Sequence, residues 1–203
     1  MNRPVAIFLI IIACQPAIGQ NFDVNTVKKI NPQDSHSEFF KITSSSVYYV
    51  GAGAPTGVLI AGLISGDASL KRKSYEMFGA ALIELSVCSA LKNVVGRQRP
   101  AEKYPKGILP YRDASGQSFP SGHSSIAFET AASLSLQFKK WYVVVPSYLW
   151  AATVGYSRMY LGVHYPSDVF AGAVVGIGSA YLANWLNHSA INKKKNKLLK
   201  QTL

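Results

Sequence analysis

Two stretches of the chain, VYYVGAGAPTGVLIAGLI at 47–64 and VFAGAVVGIGSAYLANWL at 169–186, run for eighteen residues each without a charge. A helix crossing the hydrocarbon core of a bilayer needs about 20 apolar residues, with a usual range of roughly 17–25. Three more apolar segments lie between them. Residues 75–95 are apolar apart from Glu76, Glu84 and Lys92; 124–138 is short and carries Glu129; 141–157 is uncharged. By themselves these segments fit either membrane helices or the buried helices of a soluble all-α protein. The charges between them favour the membrane. Lys71, Arg72 and Lys73 follow the first segment, Lys139 and Lys140 the third, and Lys193, Lys194, Lys195, Lys197 and Lys200 the fifth. Five crossings from an outer N-terminus put all ten on the cytoplasmic side. The six basic residues Lys28, Lys29, Lys41, Lys103, Lys106 and Arg112 then lie outside. Cytoplasmic loops carry the excess of Lys and Arg in membrane proteins. The expected fold is all-α: a helical bundle of about five transmembrane helices after an N-terminal signal-like segment.

The ends divide the chain further. Residues 1–19 have a basic start at Arg3, an apolar run from Val5 to Ala13 and a small-residue exit at Ala17-Ile18-Gly19, the pattern of a secretory signal. Cleavage after Gly19 is preferred; acylation at Cys14 and retention as an anchor stay open. Residues 20–46 form a polar lead-in, exposed or amphipathic, on the outer side. Residues 47–187 hold the helical domain, and 188–203 form a basic cytoplasmic tail. The chain carries 21 Lys and Arg against 10 Asp and Glu, a formal charge of +11. No aromatic residues interleave with the tail lysines, so the excess reads as contact with anionic lipid rather than nucleic acid. The two cysteines, Cys14 and Cys88, imply no disulfide framework.

Under the five-crossing topology, four helix ends carry polar residues to one outer surface. The second segment ends in KNVVGRQRP, with Lys92, Arg99 and Pro100. The third begins at PSGH, residues Pro120 to His123. The fourth ends in SRMYLGVHYPSD, which holds Arg158, His164 and Asp168 and starts the fifth. Three cations, Lys92, Arg99 and Arg158, suit a dianionic phosphate: arginine binds two oxygens at once and lysine acts as a point charge. PSGH puts a glycine at a helix N-terminus, where free N–H groups favour an anion. A neutral histidine can attack phosphorus, and a carboxylate on its other nitrogen fixes the tautomer. Asp168, four residues beyond His164 across a proline turn, is placed to do this. A second histidine can protonate the leaving oxygen and then activate water. This chemistry needs no metal, and no carboxylate cluster is present to hold magnesium.

The sequence resembles the type 2 phosphatidic acid phosphatase family. That family's signatures are K-x6-R-P, P-S-G-H and S-R-x5-H-x3-D, and all eleven fixed positions occur here in order and at the right internal spacing. The ordered set is far more specific than any one motif. The resemblance runs from Lys92 to Asp168 in motifs and over roughly residues 45–187 in helical pattern. It implies that His164 is the nucleophile, forming a phosphohistidine and oriented by Asp168, and that His123 is the general acid and then base. It implies that Lys92, Arg99 and Arg158 bind phosphate, helped by Ser121 and the backbone at Gly122, without metal or cofactor. Pro100 and Pro120 shape turns. The expected activity is removal of a phosphate or diphosphate group from a lipid at the periplasmic face of a bacterial inner membrane. Substrates of the family include undecaprenyl diphosphate, phosphatidylglycerophosphate, phosphatidic acid and the phosphates of lipid A. The motifs do not select among them or set the oligomeric state; the 100–120 loop is expected to contribute to the choice. The departure from the family pattern is at the N-terminus, where the signal-like segment and polar lead-in replace a first membrane helix.

Three rival readings remain. A soluble periplasmic acid phosphatase would use the same site on small esters. A vanadium haloperoxidase would hold vanadate there, which so short a chain disfavours. A binding or transport protein for lipid phosphates would need neither His123 nor His164. Several residues lie outside the motifs. Arg97 either adds charge or faces water. His36 and His188 read as surface residues. Glu84 and Glu129 line a headgroup cavity, pair with neighbouring helices or lie near an interface, the last preferred for Glu129. Trp141, Tyr142 and Trp185 read as interfacial anchors. Gly172, Gly176 and Ala180, four apart, either let helices approach closely or reflect ordinary membrane composition.

Overall fold

A computed structural model describes residues 18–111 and 116–201. The leader through Ala17, with Cys14, lies outside the described residues, as do Arg112 and Asp113. The described residues form seven helices in order: α1 (Ile18–Ile30), α2 (Glu38–Ile64), α3 (Ala68–Val95), α4 (Pro100–Lys103), α5 (Gly122–Phe138), α6 (Trp141–Tyr160) and α7 (Pro166–Gln201). Among the described residues there is no strand. The all-α expectation is borne out.

Among the described residues, three helices are long and apolar enough to cross a membrane: Glu38–Ile64, the one starting at Ala68, and Pro166–Ser189. Their outward faces are apolar, with Tyr49, Ile64, Leu82, Val94 and Phe170 all exposed. The interior holds many polar residues. Ser124, Ser125, Glu129 and Thr130 of α5 are buried, because α5 packs against α2, α3, α6 and α7. A helix surrounded by protein need not be apolar all round. This explains why the segment at 124–138 looks short and polar in the sequence: at about 1.5 Å per residue its helix spans roughly 25 Å inside the other helices. Glu84 is buried too. Glu129 is held by its own helix: the hydroxyls of Ser133 (2.7 Å) and Thr130 (3.4 Å) donate to its carboxylate.

The glycine stripe on α7 is a contact surface. A Cβ on Gly172 would stand 2.5 Å from the Ser121 carbonyl oxygen, and one on Gly176 would stand 2.2 Å from that of Ser125. Ala180 completes the stripe and is buried. Small residues let α7 lie directly against the backbone of α5. This contact sets the N-terminal ends of the two helices side by side, where the Ser121 amide donates to the Asp168 carbonyl at 3.0 Å.

Much of the lead-in is the helix α1, with one face packed against the bundle. Asp23, Val27 and Asn31 fall four apart, on one face of a helix, and all three are buried. Val27 forms a small core with Ile108 and Tyr165. The Asn31 amide donates to the carbonyls of Leu109 and Tyr160, both at 2.9 Å, and its oxygen accepts from the Leu109 amide at 2.7 Å. His36, expected at the surface, is half-buried, with Nε2 3.1 Å from the same Leu109 carbonyl. Polar side chains of the lead-in thus fasten the segment around Gly107 and Leu109 against the end of the bundle.

Candidate active site

The expected site residues come from five helix ends and one turn. Lys92 is in the last turn of α3, and Arg99 caps α4. Ser121 caps α5, whose first turn holds Gly122 and His123. Arg158 is in the last turn of α6 and Asp168 in the first turn of α7. His164 sits in the turn between α6 and α7. That turn depends on Gly162, at φ +70°, where a Cβ would meet the Leu109 carbonyl at 2.6 Å. Both the left-handed backbone and the close approach require glycine.

His164 is buried between Arg99 and Asp168. Its Nε2 lies 3.3 Å from Arg99 Nη1, and its Nδ1 lies 3.4 Å from Asp168 Oδ2. A guanidinium only donates, so Nε2 is the acceptor and the ring proton sits on Nδ1, facing the carboxylate. The Nδ1 contact has an ion-pair distance without hydrogen-bond alignment. Burial pushes the imidazole pKa down to about 4, against the opposing pull of Asp168. The ring is therefore uncharged at neutral pH, with its lone pair on the outer nitrogen.

Backbone carbonyls hold Lys92 and Arg99, and a serine hydroxyl holds Arg158. Lys92 Nζ donates to Gln117 O at 3.0 Å. Arg99 Nε donates to Gly116 O at 3.2 Å and its Nη1 to Val163 O at 3.0 Å. Arg158 Nη1 donates to the Ser44 hydroxyl of α2, while its buried Nε has no partner. Lys92, Arg99, Arg158 and His164 all lie within electrostatic reach of His123, whose ring meets Tyr48 edge-on at 5.0 Å. The Ser121 hydroxyl accepts from the Ser124 amide at 3.4 Å and from the Ser124 hydroxyl at 2.9 Å. Helix geometry leaves the amides of Gly122 and His123 without an intrahelical acceptor. A Cβ on Gly122 would meet only Cys88 Sγ at 3.9 Å and Lys92 Cε at 4.0 Å, so the space above the glycine is open beside the lysine. The arrangement can surround an anion with donors and present a neutral imidazole to it.

Arg97 is partly exposed, but its guanidinium is turned to the carboxylates behind this space. Its Nη1 donates to Asp168 Oδ1 and to the Ser167 hydroxyl, both at 2.7 Å, and its Nη2 donates to Asp23 Oδ2 at 2.8 Å. Its guanidinium lies over the Tyr165 ring at 4.0 Å. The motifs do not contain Asp23, Ser44 or Tyr48. The one sequence signal for Asp23 is its place on the stripe with Val27 and Asn31.

Residues 75–191, more than half of the chain, match the PAP2 superfamily. The protein is a helical bundle with a phosphatase-type motif set, and it belongs to that superfamily. It is 38% identical over 105 residues to a lipid A 4'-phosphatase of Bacteroides thetaiotaomicron, covering 49% of this chain and 47% of that protein. It is 33% identical over 109 residues to an undecaprenyl-diphosphatase of Sulfolobus acidocaldarius, covering 54% and 52%. The chain thus spans about half the length of these relatives. Among solved structures it resembles Aquifex aeolicus LpxE, with a TM-score of 0.64 and 26% identity over 80% of this chain and 94% of that one. It also resembles a transmembrane PAP2-type phosphatidylglycerolphosphate phosphatase of Bacillus subtilis, with a TM-score of 0.63 and 25% identity over 93% and 98%.

Proposed function

We propose that the protein is a membrane phosphatase that removes a phosphate or diphosphate group from a lipid through a phosphohistidine intermediate, at the periplasmic face of a bacterial inner membrane. The observation that carries this reading is the setting of His164, with Nε2 beside Arg99 and Nδ1 toward Asp168. Five crossings, with α5 and α6 added to the three long apolar helices, put the site on the outer side.

The substrate phosphate sits among Lys92, Arg99 and Arg158, and the orphaned Arg158 Nε and the first-turn amides of α5 donate to its oxygens. The Ser121 cap keeps those amides aimed at the anion. The His164 Nε2 lone pair attacks phosphorus, and the bond to the lipid oxygen breaks. His123, which takes up a proton as the bound phosphate dianion offsets the surrounding cations, gives that proton to the oxygen, so the dephosphorylated lipid leaves neutral at the new hydroxyl, or as a monophosphate when the substrate is a diphosphate. The imidazole gains positive charge as the P–N bond forms, and Asp168 draws closer to the Nδ1 proton. Hydrogen bonds of this kind are often long before substrate binds. His123 then takes a proton from water, the water oxygen attacks phosphorus, the P–N bond breaks and phosphate departs. Fixed cations around the equatorial oxygens stabilise the transition state throughout.

The test is phosphate release by detergent-purified protein from lipid A, undecaprenyl diphosphate, phosphatidylglycerophosphate, phosphatidic acid and p-nitrophenyl phosphate, with chelator present. The names of the relatives put lipid A first in the panel. Release from a lipid that disappears in His164→Ala supports the reading. Release from the soluble ester alone would replace it with a small-ester phosphatase, and binding without release would replace it with a binding protein.

A further inference from the structure

Asp23 lies in α1, outside residues 75–191 and outside all three motifs, yet it is part of the shell around Asp168. Each Asp168 oxygen has a fixed donor: Oδ1 accepts from Arg97 Nη1 at 2.7 Å, and Oδ2 accepts from the Tyr165 amide at 2.9 Å. These two bonds set the plane of the carboxylate so that Oδ2 faces His164. Arg97 is held in turn. Its Nη2 is bound by Asp23 Oδ2 at 2.8 Å, and its face is packed on Tyr165. The Ser167 hydroxyl accepts from Arg97 and donates to Asp23, and the Ser167 amide donates to Asp23 Oδ1 at 3.1 Å. Asp23, Arg97, Ser167 and Asp168 form a closed ring joining α1, the α3–α4 link and the start of α7.

The charges matter as much as the geometry. Asp23 is 4% exposed and Asp168 0%. Buried carboxylates need pairing, and one guanidinium fork serves both. Were Arg97 bound to Asp168 alone, it would cancel that carboxylate just where His164 becomes cationic on attack. Shared with Asp23, it leaves the trio with one net negative charge beside the imidazole. Charge of the right sign, fixed before reaction in a low-dielectric site, lowers the barrier without reorganisation.

We propose that Asp23 is a positioning residue for the reaction: acting through Arg97, it fixes the Asp168 carboxylate against His164 and keeps that side of the nucleophile negatively charged. The inference rests on the phosphatase reading above. It makes the lead-in helix a working part of the site rather than a cover over it.

The experiment uses the full chain in detergent with p-nitrophenyl phosphate and phosphatidic acid. Turnover by the wild type and its loss in His164→Ala come first; a wild type inactive on every substrate of the panel defeats the phosphatase reading itself. With turnover in hand, kcat and KM are measured for Asp23→Asn and Ser167→Ala, each alone and combined with Asp168→Asn. More enzyme is used to follow the slow Asp168→Asn background. Residues acting through one group are non-additive, whereas independent structural effects add. Asp23→Asn is expected to lower kcat about tenfold with KM within about twofold, and to change kcat less than about twofold once Asp168 is Asn. An unchanged kcat, or the same fold loss in both backgrounds, would overturn the proposal. Should Asp23→Asn not accumulate as folded protein, Ser167→Ala decides. A loss of about threefold in kcat that vanishes on Asp168→Asn supports the inference, and full activity overturns it.

Discussion

Two polar clusters lie near opposite ends of the bundle, and they are built differently. Near the start of α3, Glu76 accepts from the amides of Gln137 and Asn184, both at 2.6 Å, and from Asn187. One carboxylate meets three neutral donors from α5 and α7, and both of its oxygens are used. Sixteen residues further along α3, about 24 Å away at 1.5 Å per residue, the cluster around Lys92 holds buried polar groups that are only partly satisfied. Arg158 Nε has no partner, and the His164 Nδ1 contact is long and poorly aligned. Buried polar groups are normally paired, and an unpaired one needs an explanation. The Glu76 cluster is complete as it stands and ties helices together. The Lys92 cluster is incomplete in the way a site for an anion would be.

The largest expected effect is at the nucleophile. His164→Ala should reduce turnover by at least about 10⁴-fold, the scale on which a lost nucleophile or its partner is felt in triad enzymes, while thermal unfolding in detergent shifts little. Comparable residual turnover would mean that the incomplete cluster is not the place of reaction. Asp168→Asn tests the same contrast through pH. His164 attacks when neutral, and its depressed pKa keeps it neutral down to about pH 4. The acid limb of phosphoenzyme formation should therefore fall near pH 4 rather than near the ordinary histidine value of ~6.5. Removing the carboxylate disfavours the imidazolium, so Asp168→Asn should move that limb to still lower pH. A limb that stays in place would separate Asp168 from His164.

The sequence and the structure agree best where chemistry dictates spacing. Lys92, Arg99, His123, Arg158, His164 and Asp168 were legible because each belongs to a short ordered motif at a helix end, and the structure brings those ends together. The all-helical character was legible from uncharged runs of helical length. The interior was harder to read. The α5 segment looks weak as a membrane helix because neighbouring helices, rather than lipid, surround it, and hydropathy does not distinguish those environments. The lead-in was harder still. Asp23 in α1 and Asn31 just past its end are polar, so the buried face they form with Val27 does not stand out as hydrophobic. Their partners, Arg97 and Leu109, lie more than seventy residues away, at distances no local pattern encodes. Arg97 itself sits inside the first motif at a variable position, and its role follows only from what lies behind Asp168.

The smallest expected effect is at the complete cluster. Glu76→Gln keeps size and shape but replaces one acceptor oxygen with a donor. At least one amide among Gln137, Asn184 and Asn187 then faces another amide hydrogen. Loss of a hydrogen bond to a charged group, with a donor left unmet, costs about 1–3 kcal/mol. Thermal unfolding in detergent should register that loss, while kcat and KM of the folded protein stay within about twofold of wild type. The distance to Lys92 and the full pairing of both Glu76 oxygens argue that the two ends are uncoupled. A variant with unaltered melting but a reduced kcat would break the comparison, since it would require the end near Glu76 to take part in turnover, through movement of α3 or α7, rather than only in holding the helices together.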